Sequence, residues 1–278
     1  MNLEPRQRED YSDRQIEAAH RVLVDLGQVL KSFEDCLVVV GGWIPDLLLP
    51  KTEEPHIGSL DVDLALDAEK LAEGQYAELL KALLSTRRSK QAEEPFRLYA
   101  EVDLKDGQPP IRVDVDFLKS PEVKTKKNKP RLTENFRPLD ASGCNAAFEH
   151  PEWVVITGKR IKGQTNRVQF RVASIADFLV MKGHALANRD KPKDAYDLCF
   201  CLDHYPGGLK ELAANWNNRT GEKDVLKAIE ILKEKFAAVD SYGTGQVVEF
   251  YNSVNAEEQE RQARRAFELV QEFLKQIG

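Results

Sequence analysis

The chain has 278 residues and a formal net charge of −6, so a basic surface that covers the whole molecule and binds nucleic acid is excluded. Apolar residues make up 42 % of the chain and charged residues 31 %, which is typical of a soluble globular protein. No apolar run approaches the roughly 20 residues of a membrane helix, and the first ten residues lack the apolar core of a secretory signal. The four cysteines are few and irregularly spaced. We therefore expect a cytoplasmic protein with no membrane association.

The first half of the chain alternates between predicted helices and strands. Residues 13–34 carry apolar side chains at helical spacing, and CLVVV at 36–40 is typical of a short buried strand. Gly41-Gly42 and a short helix in WIPDLLL come next. The other elements predicted here are a strand at 60–66, a helix at 68–89, strands at 96–104 and 111–118, and a hairpin of 153–157 with 167–172.

The second half contains only predicted helices, at about 174–189, 192–204, 208–216, 222–238 and 255–276. The change of pattern near residue 173 predicts two domains, 1–173 and 174–278. The expected fold class is α+β, with a mixed sheet and helices followed by an all-helical C-terminal domain.

The strand LDVDLAL at 60–66 carries two aspartates on one face. Its strict alternation places Asp61 and Asp63 on the same side, about 7 Å apart along the strand. Such a pair on an edge strand is most often a solvated face. Two like charges so close are also explained by a divalent cation between them, and carboxylate oxygens suit Mg²⁺ or Mn²⁺.

A second strand, IRVDVDFL at 111–118, presents Asp114 and Asp116 in the same alternating way. If this strand pairs with the one that carries Asp61 and Asp63, three carboxylates converge. That layout suits a two-metal clamp on a phosphoryl displacement. The alternation does not choose between Asp114 and Asp116, because both lie on one face.

Gly41-Gly42 lies between a buried strand and a predicted helix. Glycines at such a junction let backbone N–H groups approach a phosphate closely, and a helix start favours negative charge. A Gly-Gly pair alone is most often a turn, so its position before the Asp-x-Asp strand is what makes it informative.

These segments together resemble the DNA polymerase β-like nucleotidyltransferase superfamily. Its signature is a strand, a glycine pair and a helix, then Asp-x-Asp, then a single Asp on a later strand, here VVVGGW, GSLDVDL and IRVDVDFL. The resemblance of RVDV implies that Asp114 is the third carboxylate. The chain departs from the pattern at Gly42, where the usual serine hydroxyl is missing, and in the inserted KTEEPHIG segment.

Lys182 falls on the apolar stripe of the first helix in the second half, where a lysine is unusual without a partner. It either extends to the surface or places its charge on a triphosphate or an aspartate. Asp194 and Asp197 on the next helix are candidates to orient Lys182, although acidic residues are common near helix N-termini. His56 and His184 are interpreted as structural.

The segment MKGHALANRDKPKDAYDL resembles the AbiEii-type nucleotidyltransferase toxins, and the resemblance covers roughly residues 36–275. It implies transfer of a nucleoside monophosphate from an NTP to an RNA (tRNA included) or a protein target, by a toxin that an antitoxin neutralises. The implied catalytic residues are Asp61, Asp63, Asp114 and Lys182. The implied metal ligands are Asp61, Asp63, Asp114 and Asp116. The candidate nucleotide contacts are Gly41, Gly42, Ser59, Lys182, Arg189, Asp194 and Asp197.

A basic stretch between Lys119 and Arg137 has seven basic residues against two acidic ones. It is either a solvated loop or a contact for RNA or phosphate. Two other functions stay open on the sequence alone. One is a non-catalytic nucleotide- or RNA-binding protein on the same fold, and the other is a small-molecule transferase of the antibiotic-modifying type.

Overall fold

The computed structural model describes residues 4–49, 54–67, 78–79, 81–84, 89–123 and 136–278. These residues form one mixed eight-stranded sheet and a set of helices, which confirms the predicted fold class. The chain divides into two compact units. The sheet unit comprises Ser12–Ile44 and Gly58–Ser174, and the helical unit comprises Met1–Tyr11, Pro45–Ile57 and Ile175–Gly278. Two stretches of the first half thus belong to the helical unit.

The sheet has the strand order β3-β4-β5-β2-β1-β8-β7, and β6 lies alongside β5. β1 pairs with β8, β2 with β5 and β5 with β6 in parallel, and the other neighbours are antiparallel. The strands are β1 Leu37–Val40, β2 Val62–Leu66, β3 Ser89–Gln91, β4 Arg97–Val102, β5 Ile111–Lys119, β6 Leu139–Asp140, β7 Glu152–Lys159 and β8 Thr165–Val172.

One face of the sheet unit is covered by the long helix α1, Asp13–Ser32. The helix begins at a capping box, in which Ser12 and Gln15 satisfy each other's backbone N–H groups. Gly27 allows a close approach to β8, since a Cβ there would lie 2.6 Å from Val168. Because strand side chains alternate, the aspartates of β2 and β5 point to the opposite face of the sheet.

The chain leaves β1 through a 3-10 turn, Gly41–Trp43, and enters the short helix α2, Ile44–Leu48. The helices of the second half are α3 Ile175–Asn188, α4 Pro192–His204, α5 Gly208–Asn217, α6 Lys223–Lys235, α7 Tyr242–Tyr251 and α8 Ala256–Gln276. Gly183 on α3 lets α6 approach closely, since a Cβ there would lie 3.0 Å from that of Ala228. None of the helices within the described ranges has the length and apolar character needed to cross a membrane.

The predicted helices and strands agree with the structure except in three regions, one of which is the short strand β6, which is not predicted from the sequence. The helix α7 is not predicted from the sequence, because Gly243 and Gly245 lower the helix propensity of its first turns. The predicted helix at 68–89 lies mostly outside the described residues, and β3 already begins at Ser89.

Candidate functional site

The site in the sheet unit begins where β1 ends, at Gly41. Val40 pairs with Asp63 across the antiparallel β1–β2 ladder, so the residue after Val40 lies beside the Asp63 side chain. Gly41 has a φ of +75°, and a Cβ at this position would lie 1.9 Å from Oδ2 of Asp63. The left-handed backbone and the close contact both require glycine here.

Asp61 lies just before β2 and is oriented by two hydrogen bonds. The Ser59 hydroxyl donates to Oδ1 of Asp61 at 2.6 Å, and the Trp43 indole donates to the Asp61 carbonyl oxygen at 2.8 Å. Both Ser59 and Trp43 are buried. The structure therefore places Ser59, a candidate nucleotide contact, in contact with a predicted metal ligand.

Asp63 and Asp116 occupy paired positions on the parallel strands β2 and β5, and the same register places Val62 opposite Val115. The strands predicted to pair are therefore neighbours. Extending the register by one residue puts Asp61 level with Asp114. The four aspartates predicted from alternation lie on adjacent strands of one sheet, on one face.

Arg97, which the sequence analysis did not consider, contacts the two aspartates of β5. Its Nε and Nη2 donate to Oδ1 and Oδ2 of Asp116 at 2.6 and 2.7 Å, and its Nη1 lies 3.2 Å from Oδ2 of Asp114. Burial raises the pKa of Asp116, the Arg97 guanidinium opposes that shift, and the charges of Asp61 and Asp114 add to it. The hydrogen bond to Asp116 raises the pKa of Arg97, so the guanidinium stays charged.

No three carboxylate, imidazole or thiol side chains within the described ranges are placed to hold a metal ion. Arg97 helps to explain why these carboxylates do not converge, because it holds both oxygens of Asp116 and contacts Asp114. The donor chemistry still fits a hard divalent cation, because the donors are all carboxylate oxygens and the backbone at Gly41 leaves a cradle that the Asp63 carboxylate fills. Asp114 has 26 % of its side chain exposed and Asp116 has 10 %, so Asp114 is the more accessible of the two.

The helical unit contains a second cluster, centred on Lys182. This residue is 6 % exposed, so it does not extend to the surface. Its Nζ lies 2.5 Å from Oδ1 of Asp194 and 2.7 Å from Oδ2 of Asp197. Burial lowers the pKa of Lys182, but the two aspartates outweigh burial and leave it raised. Of the two sequence hypotheses for Lys182, contact with an aspartate describes the structure.

Two further cations complete this cluster. Arg189 donates from Nε and Nη2 to both oxygens of Asp194, at 2.6 and 2.8 Å. Lys193 donates to Oδ1 of Asp197 at 2.6 Å, although burial lowers the pKa of Lys193. The two aspartates therefore accept from Lys182, Arg189 and Lys193, and burial opposes the charge of Lys193.

His56 lies in the segment inserted before β2, and it also contacts Asp197. Its Nε2 lies 2.9 Å from Oδ1 of Asp197, and its ring stacks on Tyr196 with centroids 5.3 Å apart. Burial, together with the charge of Lys193, lowers the pKa of His56 to about 4, against the pull of Asp197. His56 is therefore neutral at neutral pH.

The roles of Arg97, Lys193 and His56 are not predicted from the sequence, for different reasons. A signal existed for Arg97, because pairing the two strands around the DGQPP turn places it opposite Asp116. Lys193 lies one residue before Asp194 and four before Asp197, a spacing that allows the second ion pair. The contact of His56 with Asp197 spans 141 positions, and no local pattern indicates it.

A mixed sheet with an Asp-x-Asp strand beside a strand–glycine junction, and with further aspartates on the neighbouring strand, is typical of the nucleotidyltransferase class. Residues 58–272 match the family described as the nucleotidyl transferase AbiEii toxin of type IV toxin–antitoxin systems. The chain therefore belongs to the AbiEii family of nucleotidyltransferase toxins, as the resemblance in its sequence predicted.

No curated protein matches the chain significantly. Among solved structures, the chain is similar to the crystal structure of JHP933 from Helicobacter pylori, at 15 % sequence identity and a TM-score of 0.42. That likeness covers 96 % of this chain and 94 % of the other.

Proposed function

We propose that this protein transfers a nucleoside monophosphate from an NTP to an RNA acceptor, tRNA included, in a reaction that depends on Mg²⁺ or Mn²⁺. The observation that carries the proposal is the set of aspartates on paired strands β2 and β5, beside a glycine that makes room for one of them. In this reaction an acceptor hydroxyl oxygen bonds to the α-phosphorus. The bond from that phosphorus to the bridging oxygen breaks, pyrophosphate leaves, and the proton of the acceptor hydroxyl passes to solvent.

Asp61, Asp63 and Asp114 would hold the metal. A bound divalent cation offsets negative charge on the phosphates and the leaving pyrophosphate. Ser59 keeps one Asp61 oxygen in a fixed orientation through its hydrogen bond. We assign the third carboxylate to Asp114 because it is the more exposed of the two, and its partners are the half-exposed Arg112, which donates to Oδ1 at 2.7 Å, and a longer contact with Arg97. Asp116, which Arg97 holds by both oxygens at 2.6 and 2.7 Å, acts as a positioning residue.

The remaining nucleotide contacts are proposed at Gly41, Gly42, Ser59, Arg189 and the cluster around Lys182. Support for the last comes from Arg189, whose side chain is 52 % exposed while it pairs with Asp194, because a fixed cation stabilises charge that develops on a leaving phosphate. Lys182 itself is held by Asp194 and Asp197. We therefore expect it to contribute as a fixed charge rather than a mobile one.

We also propose an antitoxin partner and an RNA contact at the basic stretch 119–137. Residues 124–135 of this stretch lie outside the described residues. Lys119 is buried and forms an ion pair with Asp140, while its Nζ also donates to the carbonyl oxygen of Val123 at 3.0 Å. An RNA contact here would therefore depend on the other basic residues of the stretch.

Binding of Mg²⁺ with a non-hydrolysable NTP tests the nucleotide site directly. The pair should raise the melting temperature of the wild type by mass action. Asp61→Asn with Asp63→Asn should abolish the shift. A control with the same loss of charge is Asp35→Asn with Asp240→Asn, at two exposed positions, which should keep it. An undiminished shift in the first double variant would remove the metal assignment, and the non-catalytic RNA-binding alternative predicts no shift in the wild type.

A further inference from the structure

One face of the β7–β8 hairpin carries exposed basic and aromatic side chains. The antiparallel register pairs Trp153 with Arg171 and Val155 with Gln169, and it brings Lys159 and Arg167 to the same face. Trp153 is 50 % exposed and Val155 is 49 % exposed. We call these six residues the hairpin face.

The hairpin face carries positive charge on a chain whose net charge is negative. Between Trp153 and Val172 the sequence contains no acidic residue. Glu152 pairs with Val172, which puts it on the opposite face of the hairpin. Lys159 and Arg167 are exposed, and neither has an acidic partner within ion-pair distance in the described part of the chain. Both cations are available to an anionic partner.

The hairpin face lies on the same side of the sheet as the aspartates. Val172 of β8 pairs with Val39 of β1, and the next residue of β1, Val40, pairs with Asp63. Since paired residues share a face, Arg171 lies on the face of Val40 and Asp63. Trp153 is three strands from β2, which is about 14 Å at the usual strand spacing. The hairpin face and the aspartates therefore lie on one side of the sheet, with the buried side chains of Val38 and Val40 between them.

An open groove lies beside the hairpin face, along the part of β8 that precedes the start of β1. Its volume is about 380 Å³, and it is lined by Lys31 and Gln28 of α1 and by Asn166 and Arg167 of β8. Lys31 is exposed and places a further cation at the edge of this groove. The groove offers room for a nucleotide next to a cation.

We propose that the hairpin face binds the RNA acceptor, with Lys159 and Arg167 on phosphates and one base stacked on Trp153. Cations track a nucleic-acid backbone, and an exposed aromatic ring stacks a base of any sequence. RNA is favoured over an acidic protein because the apolar part of the face is limited to Trp153 and Val155, while the rest is polar or basic. The choice of RNA rests on the proposed function.

Fluorescence anisotropy with a short labelled single-stranded RNA of mixed sequence tests this proposal. Lys159→Glu with Arg167→Glu should weaken binding about tenfold or more and make it less dependent on salt. Trp153→Ala should weaken binding roughly five- to hundredfold, the effect expected for loss of one stacked base. Lys210→Glu with Lys223→Glu makes the same charge change at exposed positions of the helical unit, and it should leave binding within about twofold.

The melting-temperature shift with Mg²⁺ and a non-hydrolysable NTP separates this proposal from the proposed function. We expect all three variants to keep the wild-type shift and the wild-type melting temperature without nucleotide. RNA binding that persists in the hairpin variants, or a wild type that binds no RNA, would overturn the proposal, and the second result would favour an acidic protein partner. Suppose that the hairpin variants lose RNA binding and that no protein shows a melting-temperature shift with nucleotide. This result would support the hairpin face as an RNA-binding surface and contradict the proposed nucleotidyl transfer.

Discussion

Gly41 and Asp63 fit together so closely that a side chain at residue 41 would occupy the place of the Asp63 carboxylate, with a Cβ 1.9 Å from Oδ2. The backbone of Gly41 is also in the left-handed region, with a φ of +75°. The glycine after β1 is thus required by the aspartate on β2. Residues 41 and 63 therefore form a single structural feature of the site.

Gly41→Ala should displace Asp63 and abolish the melting-temperature shift with Mg²⁺ and NTP. We expect a loss of stability of about 1–3 kcal/mol from the strained backbone alone, and more from the steric contact. Gly107→Ala is the matched control. Gly107 has a similar φ of +79°, but a Cβ there would meet nothing within 4 Å. If both variants lost or kept the nucleotide shift together, the contact with Asp63 would not explain the glycine.

Asp114→Asn should mainly affect nucleotide transfer, and Asp116→Asn should mainly affect stability. Asp114→Asn should lower nucleotide transfer by orders of magnitude while the fold persists, because Asp114 is assigned to the metal. Asp116→Asn should mainly lower the melting temperature, because it leaves the half-buried Arg97 guanidinium without its bidentate partner. Measuring transfer and melting temperature on both variants decides the assignment. The reverse order would make Asp116 the third carboxylate.

Lys182→Met should destabilise the helical unit, by about 3–5 kcal/mol, because Asp194 and Asp197 would lose a buried partner. Adding Asp194→Asn should recover part of the loss, which urea unfolding would report as a coupling energy between the two sites. The exposed pair of Lys227 and Glu230 is the control, and Lys227→Met should cost less than about 1 kcal/mol. A stable Lys182→Met variant would show that the cluster does not depend on this charge.

His56 should make the protein less stable in mild acid. Its pKa is lowered from 6.5 to about 4, so the unfolded chain takes up this proton at a higher pH than the folded chain. Its contribution to stability is complete above about pH 6.5 and is lost as the pH falls toward 4, by on the order of 3 kcal/mol in total. Urea unfolding across this range should show the wild type losing stability relative to His56→Gln. A gap between the two proteins that is constant with pH would contradict the assignment, and His150→Gln controls for loss of an exposed histidine.

The sequence predicted the elements that depend on local periodicity. Alternation placed Asp61 with Asp63 and Asp114 with Asp116, and the structure has β2 and β5 as neighbours. The partners of these aspartates could not be predicted from local periodicity, because strand register and tertiary contacts determine them. Arg97 reaches Asp116 through the register of β4 against β5.

The helical cluster shows the same limit. Lys182 is unusual in the sequence because it interrupts an apolar stripe. Its aspartate partners lie on the next helix. The sequence indicates that Lys182 could contact an aspartate, but it does not show how far Lys182 is buried. The hypothesis that Lys182 extends to the surface therefore could not be rejected from the sequence. His56 was interpreted as structural because nothing near it in the sequence identifies Asp197 as its partner.

The central claim is that Asp61, Asp63 and Asp114 support nucleotidyl transfer, and labelled nucleotide tests it most directly. Each α-labelled NTP is incubated with Mg²⁺, total RNA and either the wild type or the Asp61→Asn, Asp63→Asn variant, and the label is followed into RNA. The account predicts that the wild type labels RNA with at least one NTP and that the variant does not. Label carried equally by both proteins, or no label in RNA with any NTP, would contradict it.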